Sequence, residues 1–168
     1  MSASATKTSE LLAGVRLVIF DADGTLRETT VPGQPCPHAP GEWRLLPGVR
    51  ERLTTIDWNA RGINVGVASN QDHVGYGLLS AETARELLRA MIQEATGGAV
   101  RDPDVRFCAH RLEDPCECRK PAPGMLLALM RAHDVPPAAT LFIGDAPTDA
   151  EAARRAQVRF AWASEFFG

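Results

Sequence analysis

The sequence predicts a doubly wound, Rossmann-like α/β domain, a parallel sheet of about five strands with helices on both faces. Three observations predict it. Short apolar runs of strand length recur along the chain, helical patterns separate them, and polar or acidic residues directly follow several of the runs.

In chain order, the first ten residues, MSASATKTSE, are small and polar, and the apolar stretch after them is broken by Arg16 and closed by Asp21. Residues 1–14 therefore read as a flexible tail, with neither a signal peptide nor a membrane span, ahead of a single domain over 15–168. Val15–Phe20, Ile63–Ala68, Val105–Phe107, Leu141–Ile143 and Val158–Ala161 are rich in branched residues and nearly continuous in apolarity, which suits strands buried on both faces.

Helical patterns occupy Val49–Ala60, Ala81–Thr96 and Met125–His133. In the second, Leu87, Leu88, Met91 and Ile92 share a face. Pro47, Ser80 and Pro123-Gly124 mark starts, and Gly62 and Gly97-Gly98 mark stops. Thr148 followed by Glu151 fits a capping box for a last helix through Ala156. From Arg27 to Pro47 the chain carries Pro32, Pro35, Pro37, Pro40 and Pro47, the pattern of a structured loop or short hairpin near the mouth of a site.

In such a sheet ligands bind at the carboxyl ends of the strands. There the first strand places Asp21-Ala22-Asp23-Gly24-Thr25, the second Ser69-Asn70-Gln71, and the fourth Gly144-Asp145-Ala146-Pro147-Thr148-Asp149. DxDG alone is most often a strand-ending turn. The recurrence of polar residues after the other strands suggests chemistry: two acids two residues apart can divide nucleophilic and acid–base roles. Asp21, Asp145 and Asp149 form an oxygen-rich set suited to Mg²⁺, and Lys120 supplies a cation.

With DADGT, Ser69, Lys120 and GDAPTD in this order, the chain resembles the haloacid dehalogenase superfamily of phosphohydrolases. The resemblance implies that Asp21 attacks phosphorus to give an aspartyl phosphate and that Asp23 protonates the leaving oxygen and then activates water. It places Ser69 and Lys120 on the transferring phosphoryl group, with Asn70, Thr25 and Arg119 as further substrate contacts. Asp21, the Asp23 backbone carbonyl and Asp145 would bind Mg²⁺, with Asp149 supporting it.

Three of the four cysteines and one histidine crowd into Cys108-x-His110-x5-Cys116-x-Cys118, just before Lys120. This spacing supplies the ligand types of a closed tetrahedral Zn²⁺ site, structural because no position is left for substrate. The ion would stake down the loop that presents Arg119 and Lys120. CxH…CxCRKPxPGM and SNQDHVGYG narrow the resemblance to the branch, without a large cap domain, that holds D-glycero-D-manno-heptose bisphosphate and histidinol phosphate phosphatases. The second motif is shared with the 3'-phosphatase domain of polynucleotide kinases. Where the metabolite enzymes commonly carry arginine between the motif aspartates, this chain has Ala22.

Substrate choice is expected in the proline-rich loop, where Arg27, Trp43 and Arg44 could meet the leaving group. Cys36-Pro37-His38 could pass for half a metal site but has no second pair, so it reads as incidental, as do His73 and His133. Trp58 and Trp162 read as core or rim packing.

At 168 residues with a net charge of −3, nothing global recruits nucleic acid or an anionic membrane. Few cysteines and no leader point to a reducing cytoplasm, and a monomer is expected. The leading reading is a Mg²⁺-dependent phosphatase of a small phosphorylated metabolite. A polynucleotide 3'-phosphatase is the alternative, and a catalytically inactive, zinc-stabilised binding module is the second.

Overall fold

The structure is a computed structural model that describes residues 2–168. Five parallel strands form one sheet: β1 (Leu17–Phe20), β4 (Asn64–Asn70), β5 (Asp104–Cys108), β6 (Thr140–Gly144) and β7 (Arg159–Trp162), in the order β5-β4-β1-β6-β7. A separate antiparallel hairpin, β2 (Arg27–Thr29) with β3 (Trp43–Leu45), rises from the loop after β1. The helices are α1 (Ala3–Leu11), α2 (Val49–Leu53), α3 (Asp72–Gly75), α4 (Ala81–Ala95), α5 (Gly124–His133), α6 (Pro147–Ala156) and α7 (Ala163–Phe167). The α/β class and the absence of a large cap domain are as expected.

Period-two alternation explains the two layers. Val18 and Phe20 of β1 point into one core with Val65, Val67, Leu141 and Ile143, closed by Leu53, Leu88, Met91, Ile92 and Phe166. Leu17 and Ile19 point into the other, where Leu126 and Leu129 of α5 and Ala152, Ala153 and Ala156 of α6 close it. The small alanines let α6 lie close on the sheet. β1 is thus buried on both sides, as its unbroken apolar sequence requires.

Three expectations about elements are corrected. In the segment expected to be a loose tail, residues 3–11 form α1: Ser2 caps it by accepting from the Ala5 amide at 3.3 Å, and the helix packs on α7. The helix expected through Ala60 stops at Leu53. Thr54 and Thr55 turn their hydroxyls onto the Arg50 and Arg52 carbonyls at 2.7 Å, and the chain then drops Trp58 into the core. The helix expected to be the last is α6, followed by α7; it begins at Pro147, and the carboxylate that caps it is Asp149, which accepts from the Asp145 and Ala146 amides at 3.2 and 3.1 Å. Glu151 instead pairs with Arg154 and Arg155.

Leu88 is fully buried where α4 meets the sheet. Leu88→Ala is expected to lower the unfolding free energy by about 2–5 kcal/mol in a urea titration, and a loss below about 1 kcal/mol would show that the α4 face is not core.

Candidate active site

Register brings the polar strand ends together. Phe20 lies opposite Val67 and Ile143, so the next residue, Asp21, emerges beside Ala68 and just before the turn that carries Asp145. The Asp21 amide is held by the Ile143 carbonyl at 3.0 Å. Gly24 turns the chain with φ +86°, and a side chain there would run into the Asp145 carboxylate.

Lys120 is the hub. Its ammonium, almost fully buried, donates to Asp21 Oδ1 at 2.7 Å, Asp149 Oδ1 at 2.7 Å and the Ala68 carbonyl at 2.8 Å. Those partners use all three of its protons. Burial alone would lower the pKa of this ammonium, but Asp21 and Asp149 outweigh burial and hold it above the usual lysine value. Burial pushes Asp149 above the usual carboxylate range even with Lys120 beside it.

Asp21, Asp145 and Asp149 present oxygens within 4.8 Å of one another. Three carboxylates against the one ammonium leave a formal charge of −2, the deficit that a divalent cation cancels. The all-oxygen donor set fits Mg²⁺. Asp145 is the exposed member of the set, and partial burial of its carboxyl, with the hydrogen bond and charge of Asp21, pushes it up to about 7. The Thr25 hydroxyl sits between Asp21 Oδ2 at 2.9 Å and Asp145 Oδ1 at 3.1 Å. Having one proton, it can donate to only one of them at a time.

The Asp23 carboxylate turns away from this cluster. Arg27 holds it through Nε at 2.8 Å and Nη2 at 3.3 Å, and Gln71 Nε2 donates to it at 2.9 Å and to the Ser69 hydroxyl at 2.8 Å. Gln71 therefore ties the candidate acid–base group to the candidate phosphoryl-binding serine. Arg27 is wholly buried, so it is not the free leaving-group contact expected of it. Its spacing of four from Asp23 was visible in the sequence, but the turn that brings the two together was not.

Other expected contacts are engaged within the protein. The Asn70 side chain donates to the Lys120 carbonyl at 3.1 Å and accepts from the Lys120 amide at 3.0 Å, so it clamps the lysine's backbone rather than facing a phosphate. Arg119 pairs with Asp72 at 3.4 Å, and Arg44 lies exposed against Glu28. Trp43 packs partly buried on the core, as Trp58 does fully.

Cys108, His110, Cys116 and Cys118 converge beside this lysine. Cys108 ends β5 in register with Asn70. Zn–S bonds of about 2.3 Å and Zn–N bonds of about 2.0 Å in a tetrahedron place sulfurs about 3.7 Å apart and sulfur and nitrogen about 3.5 Å apart. The observed Cys108–Cys116 separation is 3.7 Å, and His110 Nδ1 lies 3.3 Å from Cys108 and 3.2 Å from Cys118. Burial and the adjacent Cys108 and Cys116 sulfurs push the Cys118 thiol up to about 12, while at Cys116 burial is outweighed by hydrogen bonds from the Arg119 and Cys118 backbone, which lower that thiol. The four ligands fit a closed tetrahedral ion.

One grouping corrects the sequence reading. His73, 2.8 Å from His38 through facing ring nitrogens, joins Cys36 and His38 in a third cluster. Its three side chains come from two segments far apart in the chain, so spacing gave no signal. His133 pairs with Asp104 at 3.0 Å.

The Asp145 carboxyl gives a pH dependence. From its ordinary value of 3.8 up to about 7, the unfolded chain has lost this proton while the folded chain keeps it, so stability falls as pH rises through that window. In Mg²⁺-free buffer, urea titrations at pH 5 and 7.5 should show a larger fall for the native chain than for Asp145→Asn; equal falls would contradict the shift.

The haloacid dehalogenase-like hydrolase family profile matches residues 37–157. That match starts after the β1 aspartates, so the assignment of Asp21 and Asp23 rests on the geometry above. A D-glycero-beta-D-manno-heptose-1,7-bisphosphate 7-phosphatase of Rhodopseudomonas palustris is 36% identical over 68% of this chain and 67% of its own. One of Bordetella bronchiseptica is 34% identical over 84% of this chain and 76% of its own. The crystal structure of D,D-heptose 1,7-bisphosphate phosphatase from B. bronchiseptica, complexed with magnesium and phosphate, superposes with a TM-score of 0.72 at 29% identity, covering 87% of this chain and 79% of that one. With its sheet order, its strand-end carboxylates and relatives that are phosphoric monoester hydrolases, the chain belongs to the haloacid dehalogenase-like hydrolase family.

Proposed function

We propose that the protein is a Mg²⁺-dependent phosphatase that removes the 7-phosphate of a D-glycero-D-manno-heptose 1,7-bisphosphate through an aspartyl phosphate. The observation that carries the reading is the buried Lys120 ammonium on Asp21 Oδ1, within a carboxylate set whose charge of −2 calls for a divalent ion. The heptose is supported by the relatives' names and by the extent of the match.

Asp21 attacks phosphorus while the bond from phosphorus to the sugar oxygen breaks, and Asp23 gives that oxygen its proton. Asp23, now ionised, takes a proton from the water that attacks the aspartyl phosphate, which frees Asp21 and inorganic phosphate. Arg27 and Gln71 orient the Asp23 carboxylate through the hydrogen bonds they donate to it. For the first step, Asp23 must carry a proton and loosen from Arg27. Ser69 would hold the phosphoryl oxygens, and the charge of Lys120, whose protons are engaged within the protein, would offset the repulsion between Asp21 and an anionic substrate. Asp21, Asp145 and the Asp23 carbonyl, with Asp149 in support, would hold Mg²⁺, which would supply the remaining positive charge.

Structural Zn²⁺ at Cys108, His110, Cys116 and Cys118 completes the reading, because Cys118 lies two residues before Lys120. Folding of the catalytic lysine's loop is then linked to metal binding.

Phosphate release with Mg²⁺ should be strongest from heptose 1,7-bisphosphate in a panel that also holds histidinol phosphate, other sugar phosphates and a 3'-phosphorylated oligonucleotide. Asp21→Asn should reduce release to background and Asp23→Asn should reduce it by about 10²–10⁴-fold. Preference for the oligonucleotide would move the substrate to nucleic-acid ends, and unchanged turnover in Asp21→Asn would sink the mechanism. Stripping zinc with a chelator should lower the thermal midpoint by several degrees, at roughly 2–4 °C per kcal/mol for a chain of this size. Midpoints that coincide with and without zinc would count against the structural ion.

A further inference from the structure

The loop 30–42 between β2 and β3 carries Cys36 and His38, and α3, directly after β4, carries His73. Their ligand atoms lie within 4.8 Å of one another. Cys36 is buried and both histidines are partly buried. His38 Nε2 and His73 Nδ1 face each other at 2.8 Å. No other ring-nitrogen hydrogen bond ties down either histidine among the described residues, so both tautomers are open to each.

The backbone of the loop ligands is braced from within the loop. Gln34 Nε2 donates to the Cys36 carbonyl at 2.8 Å and to Glu42 Oε2 at 2.9 Å, and Glu42 Oε2 accepts from the His38 amide at 2.9 Å. Bracing of this kind fixes where ligand side chains start, as outer contacts do around metal sites.

We propose that Cys36, His38 and His73 form a second transition-metal site, of the Zn²⁺ class, which fastens the proline-rich loop to the chain that leaves β4. One thiolate and two imidazoles suit a borderline-soft ion and not Mg²⁺ or Ca²⁺. Three protein ligands leave a fourth position for water or an exogenous donor, unlike the closed Cys3His cluster.

Zn–N bonds of about 2.0 Å place two nitrogens about 3.3 Å apart, so the ion opens the histidine pair by about 0.5 Å as it replaces their shared proton. The histidine that donated across the pair carries its proton on its other ring nitrogen, and the Cys36 thiol proton goes to solvent. The site adjoins the candidate active site through Gln71, two residues before His73, whose amide holds Asp23 and Ser69. Anchoring at His73 therefore sets the position of the loop expected to meet the leaving group.

The test is titration of the metal-free full chain with Zn²⁺ and with Co²⁺, in excess Mg²⁺ so that the carboxylate site is filled. The native chain should take up about two equivalents, and Cys36→Ser and His73→Ala about one each. In each variant the thiolate-to-Co²⁺ charge-transfer band should lose the Cys36 share and keep that of the Cys108 cluster. Uptake that ends at about one equivalent in the native chain overturns the proposal whether or not a variant folds, and so does a second equivalent that both variants retain. Zn²⁺ should also slow proteolytic cleavage within 30–42 in the native chain and not in Cys36→Ser; equal protection in both would remove the fastening role.

Discussion

Everything at the carboxyl end of the sheet hangs on one buried ammonium. Lys120 joins three elements that are distant in sequence: Asp21 at the end of β1, Ala68 in β4 and Asp149 in α6. Partnering any two of these without the third would leave a donor or a carboxylate unpaired in the interior, which costs more than the contact returns. The lysine thus fixes β1, β4 and α6 relative to one another at the point where chemistry needs them fixed. Asn70 then holds the lysine's own backbone on both sides, so the loop that delivers it is tied to β4 as well as to β5.

Such a knot is held together by charge, yet its charge does not balance. One ammonium among Asp21, Asp145 and Asp149 leaves carboxylates raised toward neutrality by burial and by one another. Apolar side chains of similar volume would pack there without that penalty. The unbalanced arrangement makes sense as a socket for a cation, which brings the missing positive charge.

Much of this was legible in the sequence, for physical reasons that differ between residues. β1 has to be a central strand because LVIF feeds two cores, and polar residues that follow such a strand can only emerge at its end. Cys108, His110, Cys116 and Cys118 could be grouped because they lie within one short loop. The same logic failed for Cys36, His38 and His73, whose meeting depends on how a proline-rich loop folds back over α3. It failed also for Arg27, whose buried pairing with Asp23 depends on the turn made at Gly24, and for Asn70, where residue type suggests a phosphate ligand and only the fold shows the Lys120 backbone in its place. The early end of α2 is different again: Thr54 and Thr55 carried the signal, but it was outweighed by the apolar spacing around them.

Among the described residues, what the chain inserts between β1 and α2 is the β2–β3 hairpin, three residues to a strand, where other architectures would carry a whole domain. If this connection selects the substrate, no domain has to swing shut and discrimination falls to a handful of side chains. Reaction chemistry and substrate preference are then separately heritable: the sheet ends can stay untouched while a single loop is rewritten. An enzyme built this way can change its diet by point substitution, without acquiring or losing a domain.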